Sequence, residues 1–154
     1  MGAGLGALCL VATSVSAFWQ SVFRIGVGCF WLFFAYQSWS GNGPSPAAVQ
    51  GGFVTNPIPG VHEVLVLVVL PNWQWFSLLQ TAAEVVVGAL MVLGLFTRPA
   101  AIVGSVIAIY LALTVAFIEP SIVNRWVYYL LVLGNLELAF NGPGALSLDQ
   151  RGIA

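Results

Sequence analysis

Lysine is absent, and charge of either sign is scarce. The 154 residues hold four arginines, five acidic side chains and a single histidine, His62. Only 6% of residues are charged and 60% are hydrophobic. A soluble domain carries about 25% charged residues, so this balance belongs to a chain whose solvent is lipid. The net charge of −1 removes the basic footprint needed for nucleic acid. Two cysteines, Cys9 and Cys29, both in apolar surroundings, are too few and too far apart for a metal motif. One histidine with two distant cysteines cannot build a zinc site, an iron–sulfur cluster or a bis-histidine haem. No intrinsic cofactor or metal is therefore expected. Electrons for any redox chemistry would come from a partner or a diffusible ligand.

Long apolar runs take the place of what is missing. Residues 18–39, 76–96, 101–118 and 126–140 read as four membrane spans, and the whole chain, 1–154, as a single membrane domain. About 20 residues at 1.5 Å each cross the hydrocarbon core, so the last two runs are short and must recruit interfacial residues. Thr97-Arg98-Pro99 reads as a tight polar turn. Glu119-Pro120-Ser121 and Asn141-Gly142-Pro143-Gly144 end the third and fourth spans. Between the first two spans, residues 40–75 form an outer region. Its Gly, Pro, Asn and Ser content up to position 60 predicts an irregular loop. The apolar stretch 61–70, between Pro59 and Pro71, is too short to cross and suits an interfacial or re-entrant helix. The expected fold is thus an all-α, integral membrane four-helix bundle. The first 17 residues lack the basic n-region of a signal peptide, and read as a retained leader near the interface or as an extension of the first helix.

Arginine sets the orientation. Four spans bring both termini to one side, together with Arg98 and Arg151 and nearest to Arg24, while Arg125 stands alone opposite. The positive-inside rule then makes both termini cytoplasmic in a prokaryotic plasma membrane, with the long loop and His62 facing outward. Tyr36, Trp39, Trp73, Trp75, Trp126 and Tyr128 fall at the outer boundary, as an aromatic belt would.

The third span repeats a small residue every fourth position: Ala100, Gly104, Ala108, Ala112 and Ala116. Such a seam lets a neighbouring backbone approach closely. It serves either internal packing or a second membrane subunit.

An ionisable group inside a span is costly and marks a polar core, a pathway or a ligand site. Arg24 and Glu84 are such groups, with Asn135 and Glu137 in the fourth span at depths close to Arg24. The expectation is that Arg24 pairs with Glu84 or Glu137, since an unpaired buried charge costs several kcal/mol. Gln80 and Glu84, four residues apart, share one helix face that Gly88 continues. That face forms either a ligand or proton site, suited to a quinone, or part of an ion pair that holds the spans together. His62 beside Glu63 reads as a capping residue or as a proton relay near a quinone head.

Several stretches resemble the DoxX/DoxD-like membrane proteins. These are Arg24-x-x-x-Gly28, Glu84-x-x-x-Gly88, the run from Leu93 to Arg98 and the closing Gly142-Pro143-Gly144-Ala145-Leu146-Ser147-Leu148-Asp149. Asn56-Pro57-Ile58-Pro59-Gly60 and Val69-Leu70-Pro71-Asn72 are similar to the DoxD branch, related to the small subunit of thiosulfate:quinone oxidoreductase. The resemblance implies a membrane subunit of a quinone-linked oxidoreductase or electron-transfer complex, with a quinone as ligand and other membrane subunits as partners. A non-catalytic accessory subunit of a respiratory or photosynthetic complex is the alternative. A small-solute transporter fits less well, since no inverted repeat is visible.

Overall fold

The computed structural model describes residues 2–41, 46–119 and 121–148, with side chains omitted at 2–14, 46 and 118. Pro120, Asp149, Arg151 and the Cys9 side chain, named above, lie outside the described residues. The regular elements among the described residues are all helical, with no strand. In hydrocarbon a backbone must bond itself, and the helix does so within one segment.

Helix α1 runs from Gly2 to Ser40, so the stretch read as a leader continues the first helix. Next come α2 (Pro46–Val54) and α3 (Val61–Val64). A π turn (Leu65–Val69) and a 3₁₀ turn (Leu70–Asn72) then lead into α4 (Trp73–Leu93). Helices α5 (Thr97–Leu113), α6 (Val115–Ile118) and α7 (Ile122–Asn141) complete the order. Among the described residues three helical runs are long and apolar enough to cross a membrane: Val15–Ser40, Val61–Leu93 and Thr97–Phe117. Helix α7 has 20 residues, five more than expected, but Arg125, Asn135 and Glu137 dilute its apolar character.

Three boundaries differ from the sequence reading, each for a local reason. Pro46 opens α2, where its fixed φ and missing N–H cost nothing, so the loop contains a helix. Pro71 does not separate a short helix from the next span. The π and 3₁₀ turns absorb its lost hydrogen bond, and the helical path continues into α4. The polar turn falls earlier than Thr97. Gly94 adopts φ 68° and the Leu95 N–H returns to the Leu90 carbonyl at 3.0 Å, a glycine-terminated helix end. Thr97, Arg98 and Pro99 then form the first turn of α5, where proline is tolerated.

The four long helices pack in a ring: α1 on α4, α4 on α5, α5 on α7, and α7 more lightly on α1. Gly28 and Gly88 let the α1 and α4 backbones touch. A Cβ on Gly28 would come within 3.0 Å of the Gly88 carbonyl, and one on Gly88 within 2.9 Å of the Gly28 carbonyl. The seam residues Ala100, Gly104, Ala108, Ala112 and Ala116 are all buried within the chain's own packing. Helix α2 lies over the loop end, where Val49 and Phe53 bury against Leu65 and Val69. Trp39 is 82% exposed, and Tyr36, Trp75 and Trp126 are also exposed, as a belt requires. Tyr128 is not part of the belt. It turns inward, 7% exposed, beside Phe34, and Trp73 packs edge-on against Phe53.

Candidate functional site

Above the Gly28–Gly88 contact, towards the loop end, the helices enclose a cavity of about 1000 Å³. At the loop end its lining includes Trp39, Gly41, Gln50 and Gln74, together with Phe53 and Trp73. Glu84 lines its inner end with Tyr110 of α5 and Tyr128 of α7. Glu84 is only 1% exposed. The one-turn spacing expected on α4 is realised: Gln80 Nε2 donates to Glu84 Oε1 at 3.0 Å. Glu84 Oε2 is buried and has no hydrogen-bond partner among the described residues. A buried carboxyl oxygen left without a donor is costly, so the arrangement favours a ligand or a proton at that position. The two phenols and the glutamine amide add groups able to donate or accept around it.

Arg24 does not reach this site. Its Nη2 donates to the Leu146 carbonyl at 2.6 Å, and its Nη1 and Cζ lie against Gly94. Gly94 is ten residues beyond Glu84 on α4, or about 15 Å along the helix. Glu137 is exposed, and its Oε1 accepts from Asn141 Nδ2 at 2.6 Å. Neither of the two expected ion pairs is formed. A backbone carbonyl in the closing stretch accepts from the guanidinium. Ser21 supports the same stretch by accepting from the Leu146 N–H at 2.9 Å, and Ala145 N–H reaches the Ala17 carbonyl at 3.0 Å. Residues 142–148 thus pack against the middle of α1, at Ala17, Ser21 and Arg24.

Asn135 is fully buried, but it sits deeper than Arg24. Its Oδ1 accepts from the Trp31 indole at 3.2 Å, and its Nδ2 donates to the Leu131 carbonyl at 2.7 Å. Gly104 of α5 leaves room for that amide, with Val87 of α4 alongside. The polar contact between α1 and α7 therefore lies where α4 and α5 also approach. His62 sits at the loop end in the first turn of α3 with its Nδ1 buried and unpartnered, and it does not line the cavity. Among the described residues no group of side chains could hold a metal ion.

Sequence reasoning missed Tyr110, Tyr128, Trp31, Ser77 and Thr81. Tyr128 reads from sequence as part of the aromatic belt, while Tyr110 and Trp31 stand within apolar runs with no pattern that singles them out. Ser77 and Thr81 gave a usable sign, since with Gln74 and Glu84 they fall at helical spacing in an apolar span.

An all-helical integral membrane protein with an acidic side chain at the end of an internal cavity is the class that fold and site define. The chain belongs to the DoxD family: residues 19–151 match the description "TQO small subunit DoxD". Neither the curated proteins nor the solved structures yield a match.

Proposed function

We propose that this protein is the integral membrane subunit of a quinone-linked oxidoreductase, and that Glu84 and Gln80 hold the polar head of a quinone or related amphipathic ligand. In this reading α1, α4, α5 and α7 all cross a prokaryotic plasma membrane, with both termini cytoplasmic. Other subunits supply the electrons. The observation that carries the proposal is the unpartnered Glu84 Oε2 at the inner end of a ligand-sized cavity, in a chain of the DoxD family. The cavity's volume lies at the upper end of small-molecule sites. Its lining joins aromatic rings to a few convergent polar groups.

The test is to purify the protein gently and extract it with solvent. A quinone present in near-stoichiometric amount, and lost in Glu84→Gln, is the expected result. Its absence, together with recovery of the protein inside a larger pigment or haem complex whose electron flow Glu84→Gln leaves unaltered, favours the accessory-subunit reading.

A further inference from the structure

One face of α4 is polar where the rest of the helix is apolar. Gln74, Ser77, Thr81 and Glu84 follow one another at intervals of three, four and three residues, and all four line the cavity. Elsewhere the same helix presents Leu79, Val85, Val86 and Leu93 outward. Ser77 Oγ donates to the Gln74 carbonyl at 3.1 Å and Thr81 Oγ1 to the Ser77 carbonyl at 2.9 Å. Both hydroxyls therefore spend their protons on their own helix and keep acceptor lone pairs for the cavity. No packing requirement explains polar side chains along such a path, and in a span they are expensive.

The cavity opens towards the loop end, where Gly41 and Gln74 are exposed. Beyond Glu84 the path is blocked by the Gly28–Gly88 backbone contact, by buried Val87 and Met91, and by the Trp31–Asn135 hydrogen bond. Each water needs about 30 Å³, so a volume of this size exceeds what a hydrogen-bonded water file requires.

We propose that the cavity is an aqueous vestibule through which Glu84 exchanges its proton with the loop-side water phase and with no other. The exchange is a simple acid–base step, in which the glutamic acid gives its proton to water and takes it back. The titratable groups facing Glu84 are Tyr110 from α5 and Tyr128 from α7, while α1 presents Phe34 and α2 presents Phe53. The proposal builds on the quinone reading, because protons consumed or released by the ligand would then be drawn from the loop side. Its test needs no quinone, so the two readings can fail separately.

The experiment is cysteine accessibility in sealed vesicles of the full chain, with Cys9 and Cys29 replaced by alanine. Thr55→Cys and Ala145→Cys mark the loop end and the opposite end. A membrane-impermeant cationic methanethiosulfonate reagent reacts only with hydrated thiolates. Thr81→Cys and Ser77→Cys are expected to react from the loop side about tenfold faster or more than Leu79→Cys, and not from the opposite side. A pH-induced carboxyl carbonyl-stretch band that disappears in Glu84→Gln is expected in infrared difference spectra. Unreactive Thr81→Cys and Ser77→Cys, or equal reaction from both sides, would overturn the one-sided vestibule. Labelling without a Glu84-dependent infrared band would overturn the proton assignment.

Discussion

Trp31 and Asn135, 104 positions apart in sequence, share a hydrogen bond in which the indole donates at 3.2 Å and both side chains are fully buried. In lipid the helices gain little from the hydrophobic effect, so a bond of this kind, with close backbone packing, helps to decide which faces meet. Trp31→Phe keeps most of the ring volume and leaves the Asn135 oxygen without its donor. The expected cost is about 1 kcal/mol, read as a lower unfolding midpoint in detergent. An unchanged midpoint would show that the bond contributes nothing to assembly.

Three glycines of α1 and α5 separate backbone fit from composition. A Cβ on Gly104 would fall on Asn135 Oδ1, and one on Gly28 would come within 2.9 Å of the Val92 backbone nitrogen. Gly104→Ala and Gly28→Ala should each cost about 1–3 kcal/mol, the usual penalty for overpacking. Gly26 has nothing within 4 Å of such a carbon. Gly26→Ala should be neutral, or stabilising by about 0.5–1 kcal/mol through the lower backbone entropy of alanine. Thermal denaturation of the three variants side by side checks the ordering.

Arg24 anchors the closing stretch through the Leu146 carbonyl. Arg24→Met should loosen residues 142–148 and expose them to protease, while Arg24→Lys, which keeps the charge but loses the planar fork, should fall between. Limited proteolysis followed by mass spectrometry reads the effect. Ligand retention at Glu84 should survive in both variants, because about 15 Å of α4 separates the two groups. A simultaneous loss of ligand and tail protection would show that the two regions are not independent.

Glu84→Gln keeps the shape of the side chain and an oxygen able to accept from Gln80. Its unfolding midpoint should match the parent within the roughly 0.5 kcal/mol expected when no buried interaction is lost. Gln80→Leu removes the donor to Oε1 and should lower the midpoint by about 1–3 kcal/mol, since it leaves both carboxyl oxygens unsatisfied. The contrast between these variants, measured in the same detergent, tests whether Glu84 is retained for chemistry or for support.

The sequence carried the parts of this structure that repeat. Ala100, Gly104, Ala108, Ala112 and Ala116 could be placed on one face because their four-residue period matches the helix, and that face is the buried one. Gln80 and Glu84 could be paired for the same reason. Arg24 could not, because its described hydrogen-bond acceptor is a main-chain oxygen 122 residues away, and a carbonyl leaves no mark in a string of side chains. Helix α2 was hidden by its own glycines and by Pro46, which signals a turn and a helix start equally well. Tyr128 was misplaced because an aromatic near a span end reads as interfacial, whereas here it borders the cavity. The membrane class and the DoxD likeness were legible in composition and motifs. The cavity was not, since it arises where α1 and α4 part above a glycine contact.

The docking of residues 142–148 on the middle of α1 also sets an order on biogenesis. Helix α1 is made before α4, α5 and α7, yet it obtains these contacts from residues that follow all three. Until then Ser21 and Arg24 must be tolerated in a bilayer, or shielded by the insertion machinery. The contacts of α1 are consequently completed only after α7 has been made.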